Sequence, residues 1–266
     1  MWALSVAMAA EPVSAGVWVG DAIPVDPIHD VVGSPDGWLV LDHASGTSLL
    51  RAARFGPSGV PEGEPVGLAL PTGWQRGLWD GTSYLVVGVP FTDYYELVAS
   101  IVAVPVPPTG AFTPAPVEVA TGLGWPGAFE GGCGAGPCTI VFEDSHWLAD
   151  PLTQRVGFSA SGATAPQSAI GPAESRTPIA ALRDADATAV VLSDGSQALV
   201  WLADDPAVPI DEVALPGVGD PELARAADGT ILVAWSHYAS NGDSGAPPGQ
   251  WSVQVQRVRR GEGVLD

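Results

Sequence analysis

The chain has 266 residues, with 30 acidic and 10 basic side chains and a formal net charge of −20. Every basic residue is an arginine, so no lysine can form a Schiff base or hold a P-loop phosphate. The acidic excess repels phosphate backbones and excludes nucleic acid as a partner, while a 46% hydrophobic and 15% charged composition suffices for a large core.

No apolar run reaches the roughly 18 residues of a membrane span. Residues Met1–Ala9 read either as the remnant of a secretory leader or as a strand. Helical periodicity is absent, and short β-rich runs between Gly, Pro, Asp and Ser recur instead. Anchored on Leu39, Leu85, Ile140, Val190 and Leu232, an apolar run returns at spacings of 46, 55, 50 and 42 residues.

Each unit holds up to four predicted strands, A to D. Unit one (28–73) has A at His29–Gly33, B at Trp38–Asp42, C at Leu49–Arg54 and D at Glu64–Leu68. Unit two (74–121) has Gln75–Leu78, Tyr84–Gly88, Leu97–Val104 and Val117–Ala120. Unit three (122–171) has Gly127–Gly131, Thr139–Glu143, Gln154–Phe158 and Gln167–Ile170. Unit four (172–216) has Pro178–Leu182, Ala189–Ser193, Ala198–Leu202 and Asp211–Ala214. Unit five (217–266) has Glu222–Ala226, Ile231–Trp235 and Trp251–Val258, and it ends at Gly263-Val-Leu-Asp266, where D should begin.

Asp-Gly between A and B is a hairpin signal in Ser34-Pro-Asp-Gly37, Trp79-Asp-Gly-Thr82 and Ala227-Asp-Gly-Thr230. In unit three Cys133 and Cys138 occupy that place, and two cysteines cannot close a zinc site, so they read as a disulfide stapling a widened hairpin. The continuous apolar character of B implies burial on both faces, and Trp38, Trp201 and Trp235 are expected in the core.

Four strands at this period signal propeller blades. The expected fold is all-β, a single five-bladed β-propeller over 1–266. The segment 11–25 supplies the missing outer strand, with Trp18 beside the strand at Trp251. Met1–Ala9, if a strand C, would instead mark a chain cut from a longer array.

Asp80-Gly-Thr-Ser-Tyr-Leu-Val-Val87 and Asp228-Gly-Thr-Ile-Leu-Val-Ala-Trp235 resemble the repeats of exported bacterial β-propeller proteins. That resemblance implies a propeller and a secreted or cell-surface setting, and no activity. Units three and four depart from the motif. A second resemblance is to five-bladed arabinanase-type glycosidases, which carry catalytic carboxylates on successive inner strands. It rests on Asp30, Asp80 and Glu130 in units one, two and three, and it implies Asp30 and Glu130 as the acid and the base or nucleophile. Asp80, in the Asp-Gly turn, is at the wrong end of its strand for this.

On the face formed by the D-to-A and B-to-C loops, the inner ring would draw on His29, Asp30, Trp74, Gln75, Arg76, Trp125, Ser175, Arg176, Asp220 and Glu222. Indoles stack on sugars and polar groups orient them. His43, His146 and His237 with Asp42, Glu143 and Asp144 have metal-ligand chemistry, but on separate blades they do not converge. Asp184/Asp186 and Asp204/Asp205 would suit calcium, yet no calcium loop motif accompanies them, so no metal or cofactor is expected. The sequence thus points to a non-catalytic exported module binding carbohydrate or a protein surface. The alternative is an arabinanase-like glycoside hydrolase.

Overall fold

A computed structural model describes residues 30–43, 49–71, 75–90, 99–133, 137–146, 149–169, 177–183, 188–193, 198–202, 209–213, 222–226, 228–238, 251–259 and 262–265. All of its elements are strands, and none of the described residues forms a helix long and apolar enough to cross a membrane. The strands form five antiparallel sheets, each a meander in chain order.

The first sheet is β1 (Asp30–Ser34), β2 (Gly37–His43), β3 (Leu49–Phe55) and β4 (Val66–Pro71). The second is β5 (Gln75–Trp79), β6 (Tyr84–Gly88), β7 (Ala99–Val106) and β8 (Val117–Leu123). The third is β9 (Trp125–Gly132), β10 (Cys138–His146) and β11 (Ala149–Ser159), edged by the short β12 (Gly162–Ala163) and β13 (Ser168–Ala169). The fourth is β14 (Thr177–Arg183), β15 (Thr188–Ser193), β16 (Ala198–Leu202) and β17 (Pro209–Val213). The fifth is β18 (Glu222–Arg225), β19 (Ile231–Tyr238), β20 (Trp251–Arg259) and β21 (Gly263–Leu265).

The first strands β1, β5, β9, β14 and β18 are successive neighbours, so the sheets stack face to face around them. Side chains alternate across a strand, so a sheet in the stack sends alternate residues to its two neighbours. In β6, Leu85 and Val87 join a core with Ile140, Phe142, Val156 and Phe158 of the third sheet. Tyr84 and Val86 join Leu39, Leu41, Leu50 and Ala52 of the first. All five residues of β6 are buried, which is why its sequence reads as one apolar run.

The turns follow the sequence signals. Gly37 has φ +145° and a Cβ there would meet the Phe55 carbonyl oxygen at 2.1 Å, so only glycine closes the β1–β2 hairpin. The Cys133–Cys138 disulfide staples the β9–β10 hairpin as expected.

Two expectations need correction. The fifth sheet takes its fourth strand from the C-terminal end, because Gly263–Leu265 pairs with Arg257–Arg259. A three-residue strand leaves too short a pattern to read. The segment 11–25 lies outside the described residues. Trp38 is not core but 36% exposed, because its ring lies over Gly33, its cross-strand neighbour, on the face turned away from the second sheet. Trp235 is buried as expected, and the Trp201 side chain lies outside the described residues.

The inner strands approach closely. A Cβ on Gly77 of β5 would stand 2.3 Å from Val32 Cγ2 of β1, a stiff β-branched side chain. Gly77→Ala is therefore expected to destabilise the protein by about 1–3 kcal/mol, read as a lower midpoint in urea unfolding. An unchanged midpoint would refute the tight inner packing.

Candidate inner-strand site

Four charged groups reach one electrostatic neighbourhood from four sheets. Asp30 opens β1, Arg76 is in β5, Glu130 is in β9 opposite Val141, and Glu222 opens β18. Asp30 Oδ1 accepts a bond from the Val31 N–H and Oδ2 one from the Gly77 N–H, both at 2.8 Å, which ties β1 to β5. Arg76 Nη2 donates to Glu130 Oε1 and ties β5 to β9.

The Glu130 side chain is only 16% exposed. Burial pushes its carboxyl up, the Arg76 bond and charge pull it down, and the charges of Glu222 and Asp30 push it up again, for a net pKa of about 7. Burial works against the Arg76 charge, but the Glu130 bond and the Glu130, Asp30 and Glu222 charges outweigh it, so its pKa stands above the usual arginine value. Glu130 thus carries a transferable proton near neutrality. Asp30 offers acceptor oxygens with lone pairs beyond those given to the backbone.

Of the residues expected at this face, the structure brings together Asp30, Arg76, Glu130 and Glu222. Gln75 opens β5 opposite Gly88. His29, Trp74, Ser175, Arg176 and Asp220 lie outside the described residues, as does the side chain of Trp125, which opens β9. Asp80 stands apart from the site. Its Oδ1 accepts bonds from Thr82 N, Thr82 Oγ1 and Ser83 N at 2.7–2.8 Å, fixing the turn at the far end of β5. What β5 brings to the site is a cation.

The acids beside the histidines are held within the fold. Asp42 is buried and receives Arg51 Nε at 2.9 Å and Nη2 at 2.8 Å, a two-point ion pair across β2 and β3. Asp144 is buried too, accepting from the Gly124 N–H at 2.9 Å and from Gln154 Nε2 at 2.7 Å, which anchors the link between β8 and β9. Ser145 Oγ donates to Glu143 at 3.0 Å. His43 closes β2, His146 closes β10 and His237 lies in β19. Among the described residues no group of three His, Cys, Asp or Glu could hold a metal. Asp184, Asp186, Asp204 and Asp205 lie outside them. Sequence reasoning missed both anchors, although the signal was present as an acid ending the apolar run and an Arg or Gln donor early in the next strand.

A groove of about 430 Å³ lies on the outer rim, lined by Arg54, Glu62, Glu64, Gly110 and Phe112. Its cation is engaged within the fold, with Arg54 over the Phe112 ring at 5.5 Å and bonded to the Pro107 carbonyl at 2.8 Å.

No protein-family model and no curated protein sequence matches the chain. Solved structures do resemble its fold. One is the GH43_1 enzyme from Xanthomonas citri complexed with xylose, at 10% identity and TM-score 0.50, covering 88% of each chain. Another is a puromycin-hydrolyzing peptidase from Mycobacterium tuberculosis, at 14% identity and TM-score 0.50. The match covers 91% of this chain but 45% of the peptidase, so this chain matches less than half of that protein. An α-L-arabinofuranosidase from Lactobacillus brevis matches at 11% identity and TM-score 0.47, over 85% of this chain and 89% of that one. The shared feature is the all-β, propeller-type fold.

The expectation of a non-catalytic binding or scaffold module is overturned here. Of the two structures that match at TM-score 0.50, both are enzymes, and one, the GH43_1 enzyme, is of the class that the alternative reading named. The described groups that meet on the inner strands are an acid and its cation.

Two outcomes test this electrostatic account. Arg51→Met strands the buried Asp42 charge and should cost about 3 kcal/mol, read from urea unfolding at neutral pH. The raised pKa of Glu130 means that between about 4.5 and 7 the folded protein binds more protons than the unfolded chain. The stability contributed there is present at low pH and is lost as pH rises through 7. This loss should be on the order of 2 kcal/mol and should vanish in Glu130→Gln. A Glu130→Gln profile that keeps the full slope would refute the assignment.

Proposed function

We propose that this protein is a glycoside hydrolase carried on a five-bladed β-propeller and working outside the cytoplasm, where its disulfide persists. The observation that carries the reading is the Arg76–Glu130 pair beside Asp30 on neighbouring inner strands, with the Glu130 carboxyl pushed up to about 7. Glycosidic cleavage needs one carboxylic acid to protonate the leaving oxygen and a second carboxylate to act as base or nucleophile. Glu130 is the acid and Asp30 the second carboxylate. Arg76 orients Glu130 and keeps its pKa from rising further, so the proton stays available and transferable at neutral pH. The substrate is a carbohydrate, and pentose-containing glycans come first to test because a similar fold binds xylose.

The test is turnover of a panel of aryl pentosides, aryl hexosides and plant or microbial oligosaccharides. Glu130→Gln and Asp30→Asn should each lower kcat by about 10²–10⁴-fold, with folding checked by thermal melts. Activity of the parent should fall as pH rises through about 7, where Glu130 loses its proton. A parent inactive on the whole panel, or a Glu130→Gln variant as active as the parent, would overturn the reading.

A further inference from the structure

The strand that carries Glu130 is weakly fixed by its own side chains. The ladder between β9 and β10 keeps one register only from Gly132 opposite Thr139 to Phe129 opposite Phe142, and beyond Phe142 it shifts. Two positions in that stretch, Gly131 and Gly132, carry no side chain. Gly131 has little room for one, because a Cβ there would stand 3.0 Å from the Thr139 carbonyl oxygen and 3.3 Å from Leu78 Cδ1 of β5. Glycine leaves the register of a strand weakly specified, and a slip of one residue turns every side chain to the opposite face. For Glu130 that slip means parting from Arg76.

β10 has no such freedom. It pairs with β11 in a single register from Cys138 to Asp144. Cys138, Ile140 and Phe142 are fully buried in the core with Val156 and Phe158. The Cys133–Cys138 disulfide therefore joins a loosely held strand to a firmly held one. Both cysteines fall one position past the Gly132–Thr139 pair, so the bond continues the same register by a further rung. In a chain slipped by one residue they would no longer stand opposite each other.

We propose that Cys133 and Cys138 are positioning residues whose bond sets the register that aims Glu130 at Arg76, so that the pair is assembled only in the oxidised chain. A dithiol reverses this. Two electrons and two protons pass to the Cys133 and Cys138 sulfurs while the dithiol closes into its own disulfide. The chain has no other cysteine, so a reductant acts on this bond alone. β9 is then free to slip or fray. Glu130 exchanges its buried place beside Arg76, and the nearby charges of Asp30 and Glu222, for solvent. The bond spans a sequence separation of 5, so the chain entropy it removes is small and the sheets stand without it. The acid is thereby set only in a compartment where a disulfide persists.

The inference rests on the Arg76–Glu130 pair and not on the hydrolase reading, so its readout is the Glu130 carboxyl itself. In the full oxidised chain, the carbon-13 signal of that carboxyl, identified by its loss in Glu130→Gln, should titrate near 7. In the Cys133→Ser, Cys138→Ser double variant, and in the parent reduced with dithiothreitol, the midpoint should fall by at least about one pH unit, toward the ordinary carboxylate range. Reoxidation of the reduced parent should bring it back. Far-ultraviolet circular dichroism should remain that of a folded all-β protein in both samples. A midpoint unmoved by loss of the bond would overturn the inference, because a staple that served stability alone would leave Glu130 where it is. So would an oxidised parent whose midpoint already lies in the ordinary range. Unfolding of both samples would overturn it too, because the bond would then hold the whole fold and not one register. Turnover of the glycoside panel on the same samples reads the catalytic proposal separately.

Discussion

The closeness of the first strands governs both the fold and the site. Gly77 lies so near Val32 that a single methyl would collide, and across that gap its N–H reaches the Asp30 carboxylate. A side chain at Gly77 would drive β1 and β5 apart and break the bond that aims Asp30. The same closeness lets Arg76 reach Glu130 on the next sheet, where burial and nearby acids hold the carboxyl near neutrality. Inner packing and the placing of Asp30, Arg76 and Glu130 therefore depend on one spacing, set by the smallest residue available.

Outside the inner strands, cohesion comes from two-faced burial. β6 shows this most plainly, with alternate side chains serving the cores on either side and none left for solvent. Buried polar groups in the first three sheets are tied by specific bonds. Tyr84 is buried with its hydroxyl 2.7 Å from Ser34 Oγ, which joins the first two sheets at the turn end. Near the opposite ends of the strands, Asp42 is satisfied within the first sheet by Arg51, and Asp144 by Gln154 of its own sheet and by Gly124 in the link from the second. Each is a short-range bond that a side chain can make only once the neighbouring strand is in register.

Much of this was readable before any coordinates. Tyr84–Gly88 and Ala198–Leu202 coincide with their strands, because an unbroken apolar run between turn residues has few alternatives. Asp36-Gly37, Asp80-Gly81 and Asp228-Gly229 fall in hairpin turns for the same local reason. Trp38 defeated the reading because its neighbour Gly33 leaves a hollow on the outward face, and composition does not say which face an indole takes. β21 was missed because three residues after a glycine turn carry no periodicity. Asp30 and Glu130 were legible as inner-strand acids. Their relation through Arg76 was not, since it depends on how one sheet sits against the next, which no local pattern encodes.

The stacking order carries a consequence for how the molecule comes apart. Among the described residues, contacts between sheets run mainly from each to the one before and the one after, so stability approximates a sum of sheet terms and junction terms. The pairing of Arg76 with Glu130 spans the junction of the second and third sheets, so it depends on that junction and not on the fourth or fifth sheet. An ion pair placed there is insulated from fluctuations confined to the more distant sheets.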